Sequence, residues 1–152
     1  MICSRRETRC TPNPSKGQRP ISIRPLAAYK NPVQGILKRF KKLTDEWSDE
    51  NLALGCPLNN LTQEMSAVDP LFREKLQAVI TLWIDETEKY LKKAQTVGYL
   101  KKTVNTRQLA EFIVVAQESA FAMTKTMNDR KMLISLYNSL KDYLESKTEA
   151  NS

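Results

Sequence analysis

From residue 32 onward, apolar positions recur at helical spacing and not in strand-like alternation. Pro32 suits a first helical turn, and Val33, Ile36, Leu37, Phe40, Leu43 and Trp47 then fall on one side, predicting a helix over about 32–48. Pro57 opens a short helix to about residue 67, with Leu58, Leu61 and Met65 together. Asp69-Pro70 opens a long one to about 96, because Asp accepts first-turn N–H groups and Pro presets φ. Phe72, Leu76, Val79, Ile80, Trp83, Thr87, Tyr90, Leu91 and Ala94 share an arc of about 120° on that helix. Leu71, Ala78 and Leu82 form a second patch, so its front half is expected to be buried on two sides. Gly98 supplies a left-handed stop.

Asn105 caps the next helix, with Gln108 in capping-box position, and apolar residues run on to Met127. Its apolar arc spans roughly 200°, about twice what a surface helix needs. Only Arg107, Glu111, Glu118 and Lys125 mark a polar stripe. A last helix over about 129–146 carries Met132, Leu133, Leu136, Tyr137, Leu140, Tyr143 and Leu144. The expected fold is all-α, an antiparallel bundle of about five helices. Two broadly apolar helices in succession predict a hairpin that pairs with a second copy in a four-helix interface. The residues expected there are Phe112, Ala116, Ser119, Met123, Leu133, Leu136, Leu140, Tyr143 and Leu144. The alternative is a monomer whose own core uses both helices.

Residues 1–30 have no period and hold four of the seven prolines and +6 of the +7 net charge. They read as a disordered basic tail, followed by one domain over 31–147 and a disordered C-terminus over 148–152. The basic balance therefore belongs to one segment and not to a face of the domain. No apolar stretch reaches the length of a membrane span, since the run at 112–116 is cut by Gln117 and Glu118. No signal peptide is visible, and a cytoplasmic protein is expected.

The chain has no His, which excludes Ser-His-Asp or Cys-His catalysis and His-ligated metal. Cys3, Cys10 and Cys56 are too few and too scattered for a disulfide framework or a zinc site, and are expected as free thiols. Glu111 and Glu118 share a helix face with Lys125, which reads as a solvated stripe and not as a catalytic carboxylate pair. No enzyme, cofactor or metal site is expected. Lys38, Arg39, Lys41 and Lys42 form a basic helix face, either a phosphate contact or an ordinary solvated surface. For a small-molecule pocket the candidates are polar or aromatic residues on apolar arcs: Gln117 beside Phe121, Trp83, and Asn60 with Glu64. Each has a plainer reading, Gln117 at a dimer seam, Trp83 as core, Asn60 and Glu64 in helix-end hydrogen bonds.

The stretch from Gly55 to Leu100 resembles the C-terminal domain of tetracycline-repressor (TetR) family regulators. The residues that carry the resemblance are Gly55, Cys56, Asn60, Leu61, Glu64, Asp69, Arg73, Trp83, Gly98, Leu109 and Ala110, in that order and spacing. The run from Ala116 onward is similar to the family's closing helix pair, with Ser119 where Gly often follows the Glu. The resemblance spans about 31–147. It implies a domain that binds a small, largely apolar effector and forms a homodimer through its last two helices.

Such regulators carry a helix-turn-helix before this domain, and residues 1–30 contain no amphipathic stretch that could be a recognition helix. The favoured expectation is that the DNA-binding module is missing through truncation or frameshift, with 1–30 a non-native read-through. The chain could then pair with a full-length relative, leaving a heterodimer with one DNA-binding arm. No sequence-specific DNA binding and no membrane partner are expected of this chain. The alternatives are a small basic protein binding nucleic acid non-specifically through its tail, and an inert product that folds but regulates nothing.

Overall fold

The computed structural model describes residues 29–149, and the expectations for residues 1–28 and 150–152 lie outside them. Six helices occur among the described residues, one more than the pattern predicts. α1 (Pro32–Glu46) begins where Asn31 Oδ1 accepts from the N–H groups of Val33 (3.0 Å) and Gln34 (3.3 Å). α2 (Asp49–Leu54) is the unexpected element, capped by the Ser48 hydroxyl. Its six residues are too few to display a 3.6-residue period. Gly55 ends it at φ +72°, and a Cβ there would lie 2.9 Å from Lys125 Cδ.

α3 (Pro57–Met65) has no buried residue. α4 (Pro70–Thr96) starts with Asp69 Oδ1 accepting from the Leu71 N–H at 2.8 Å, and Gly98 beyond its end has φ +80°, both as the sequence predicts. α5 (Thr106–Met127) is capped by Asn105, which accepts from the Gln108 N–H at 3.1 Å. Asn128, in the left-handed region, turns the chain into α6 (Lys131–Lys147). Hydrogen bonding continues past Lys147: Thr148 bridges to Leu100, and the Glu149 N–H donates to Tyr99 O.

The core divides into two apolar clusters. The first gathers Val33, Ile36 and Leu37 of α1, Leu91 and Ala94 of α4, Leu109, Ala110 and Ile113 of α5, and Leu140 and Leu144 of α6. The second gathers Phe40, Leu52, Cys56, Ala120, Phe121 and Leu133. In it the Trp47 and Phe121 rings pack at a centroid distance of 4.4 Å. α5 runs through both clusters. Arg130, in the α5–α6 turn, fastens the second from outside. Its guanidinium donates to Thr44 O (2.6 Å) and Trp47 O at the end of α1, and pairs with Asp49 (2.7 Å) at the start of α2.

The front half of α4 departs from expectation. Leu71, Val79 and Leu82 are 61%, 50% and 58% exposed, and Phe72 is exposed too. Of the residues from Pro70 to Leu82, Leu76 alone is buried. The reason is that α3, the neighbour of this segment, is too short to cover more than one side of it. Among the described residues no helix is long and apolar enough to cross a membrane.

Candidate functional site

Three regions carry chemistry or unsatisfied surface: the stretch of α5 between the core clusters, the outer face of α5 and α6, and a groove between α3 and α4.

Along α5, Ile113 belongs to the first cluster and Ala120 and Phe121 to the second, and Gln117 lies between them. Gln117 is 5% exposed, and its Nε2 has no hydrogen-bond partner among the described residues. Thr124, two turns on and on the same side of the helix, is 2% exposed, and its Oγ1 is likewise unpartnered. Buried polar groups are almost always paired, and leaving one unmade costs about 1–3 kcal/mol. Gln117 and Thr124 are thus two buried polar side chains on one inward face, each with an atom unpartnered among the described residues. Trp83 is buried on α4, and Phe121 is buried against Trp47.

The other two pocket candidates do not join this stretch. Asn60 is tied up at the junction of α2 and α3: its Nδ2 donates to Leu54 O at 2.9 Å, and its Oδ1 accepts from Lys125 Nζ at 3.2 Å. Glu64 is exposed on α3. Asn60 makes the helix-end hydrogen bond of its plainer reading, whereas Glu64 is a surface group.

Glu118 is not part of a solvated stripe. The Cys56 Sγ–H donates to its Oε1 at 3.4 Å, and Asn59 Nδ2 donates to its backbone carbonyl at 3.1 Å. Oε2 is buried and unpartnered. Burial raises the Glu118 carboxyl above the usual carboxylate range, and the Cys56 hydrogen bond offsets this only in part. Burial likewise pushes the Cys56 thiol up to about 11, so it is an inert thiol at neutral pH. The contact spans 62 positions in the chain, and no local spacing announces it. Glu111, in contrast, pairs with Arg107 at 2.8 Å, and Arg107 also reaches Asp85.

The outer face of α5 and α6 is apolar and uncovered. Phe112 and Met123 are each 47% exposed, and Tyr143 is 41% exposed. Ala116 and Leu136 are half-buried, and Ser119 is exposed among them. Phe112 and Tyr143 join the two helices through a tilted ring contact at 5.1 Å. Leu133, Leu140 and Leu144 do not belong to this face. They are between 0% and 2% exposed inside the chain's own core and have no surface to offer a second copy. A broad apolar arc on a helix wheel holds two faces, and periodicity alone does not say which one the chain keeps for itself.

Between α3 and α4 runs a groove of about 330 Å³ that the sequence reading missed. Its α4 wall consists of two adjacent rows, Arg73, Gln77 and Thr81 beside Leu76 and Ile80. Thr62 and Ser66 line the α3 side. A second cavity of about 320 Å³ lies at the opposite end, around Gln95, Lys101 and Glu149. The basic face of α1 is largely neutralised: Lys41 pairs with Asp45 (2.7 Å), Lys42 with Glu46 (3.5 Å), and Lys38 lies over the Tyr29 ring. Among the described residues, no group of three or more Cys, Asp or Glu side chains is placed to hold a metal.

Comparison with known proteins gives these features a family. Residues 33–140 match the family described as "Tetracyclin repressor-like, C-terminal domain". Two solved structures share the fold: a TetR-family transcriptional regulator from Cytophaga hutchinsonii (18% identity, TM-score 0.73) and a TetR transcriptional regulator from Chloroflexus aurantiacus J-10-FL (24% identity, TM-score 0.72). Each alignment covers 84% of this chain and 64% of the solved one, so the chain spans a little under two thirds of the length of these relatives. No curated protein sequence matches.

Proposed function

Because the chain belongs to the tetracyclin repressor-like C-terminal domain family, we propose that it is the sensing and pairing unit of a transcriptional regulator. In this reading it binds a small, largely apolar effector beside Gln117 and forms a homodimer through α5 and α6. The observation that carries the reading is the uncovered face of the closing hairpin, where Phe112, Met123 and Tyr143 lie exposed on a fully formed pair of helices. Exposed apolar side chains grouped in this way favour a protein-interaction surface. The same face serves equally for pairing with a longer relative that shares it.

The effector half of the proposal is supported by Gln117 and Thr124, whose buried polar atoms lack partners between the two clusters. A small bound molecule with one or two hydrogen-bonding atoms and an apolar body would meet both needs. Among the described residues Glu118 and Cys56 are buried against each other, which favours a binding role over nucleophilic chemistry for this pair. The basic face of α1, with Lys41 and Lys42 already ion-paired, favours a solvated surface over phosphate binding.

The test is Met123→Glu. Met123 is already half in water in the single chain, so the change leaves the fold intact, but it buries a charge in the paired face. Wild-type protein is expected to run as a dimer in light scattering at micromolar concentration, and M123E as a monomer with unchanged far-UV circular dichroism. A monomeric wild type at high micromolar concentration would overturn the pairing.

A further inference from the structure

We propose that the groove between α3 and α4 is a second small-molecule site, separate from the one beside Gln117, and that it takes an organic carboxylate with a linear apolar body. Its volume, about 330 Å³, falls at the lower end of the range of about 300–1,000 Å³ typical of ligand pockets.

The wall chemistry selects the ligand. Arg73 stands at one end of the groove. It forms no ion pair among the described residues, whereas Arg107 and Arg130 are each held by carboxylates at hydrogen-bonding distance. A guanidinium offers a planar fork that fits a carboxylate through two parallel hydrogen bonds. Gln77 and Thr81 follow Arg73 at four-residue steps, placing an amide and a hydroxyl in the same row. Beside that row lie Leu76, which is 7% exposed, and Ile80, which is half-buried, and these give the groove an apolar strip. Thr62 and Ser66 complete the α3 side; the Thr62 hydroxyl already donates to Leu58 O, leaving an oxygen that can still accept.

Length follows from helix geometry. Arg73 and Ile80 are seven residues apart, about 10 Å along the axis at 1.5 Å per residue. A carboxylate held at Arg73 therefore has an apolar strip of that length beside its tail. The start of α3 is anchored, with Leu58 packed against the second cluster and Asn59 bonded to the Glu118 carbonyl, while its groove-side residues Thr62 and Ser66 are only half-buried.

The probe is octanoate, with octan-1-ol and octylammonium as controls for the head group, followed by isothermal titration calorimetry on the full chain. Octanoate is expected to bind, the two controls at least tenfold more weakly. Arg73→Gln is expected to weaken octanoate by at least tenfold while leaving circular dichroism and melting unchanged, since Arg73 is exposed. Gln117→Leu is expected to leave octanoate binding as in wild type. The proposal is overturned if octanoate does not bind, if R73Q binds it normally, or if Q117L loses it while R73Q keeps it. That last result would put the carboxylate in the core beside Gln117 and leave the effector reading standing without the groove.

Discussion

The two halves of α4 are one continuous helix in two different situations. The rear half buries Thr87, Leu91 and Ala94 at between 0% and 4% exposure, and Leu91 and Ala94 belong to the first cluster. There it is surrounded by α1, α5 and α6, and the chain beyond it is stapled by Leu100 to Thr148. The front half buries Leu76 alone up to Leu82, and its other large apolar side chains face water or the groove. The helix is held at one end and offered at the other. Stability therefore belongs to the rear, and the groove with its proposed carboxylate site belongs to the front.

The sharpest way to break this contrast is a matched pair of truncations. Leu91→Ala should cost about 2–5 kcal/mol in urea unfolding, because a fully buried leucine leaves a cavity that a crowded core cannot close. Leu82→Ala, at an exposed site, should stay within about 0.5 kcal/mol. Equal losses would mean that the front half is covered in solution.

Hydrogen exchange sharpens the same contrast locally. Amides of α3 should exchange at least a hundredfold faster than those from Glu88 to Ala94, roughly 2.7 kcal/mol in opening free energy. This follows from an α3 with no buried residue beside an α4 rear with four of them, Trp83, Thr87, Leu91 and Ala94. Similar protection in both would show α3 to be packed by a partner. If octanoate slows exchange in α3 and leaves the rear of α4 unchanged, the groove and the front half respond as one unit.

The smallest effect concerns Glu118. Its carboxyl titrates higher in the folded chain than the ordinary carboxylate, so the folded state holds its proton more tightly than the unfolded one. The stability this adds is complete below the unfolded value and is lost as pH rises through the folded one. Glu118→Gln should remove that slope in the weakly acidic range, and stability against pH there should be flatter than wild type in urea titrations. An identical slope in E118Q would assign the pH dependence to another group.

Much of this architecture is legible in the amino-acid pattern. Asp69-Pro70 and Gly98 mark both ends of α4, and Asn105 marks the start of α5, because caps are local chemistry. Gln117 stands out as a polar break in an apolar arc, and the structure finds it buried with an idle amide. What was illegible depends on contacts between distant segments. The Cys56–Glu118 hydrogen bond joins different helices, so Glu118 looked like one more charge on a wet stripe. The groove was missed because Arg73, Gln77 and Thr81 read as an ordinary polar row until α3 is laid beside them. Leu133, Leu140 and Leu144 fall with the dimer face in the pattern for the converse reason: one wide apolar arc serves both core and surface.

The Arg130 fastening also bears on how the chain acquires its shape during synthesis. The two α1-end carbonyls it satisfies, those of Thr44 and Trp47, lie 86 and 83 positions earlier in the chain. At about 5–20 residues per second, those carbonyls wait on the order of 4–17 s for their donor. For that interval the end of α1 has no permanent cap, and for most of it Trp47 has not yet met Phe121. The α5–α6 hairpin, whose contacts are close in sequence, can form as soon as it is made. The last third of the chain thus acts as the template on which the first described helix is finished, and α1 is the segment that a nascent-chain chaperone would meet unfinished.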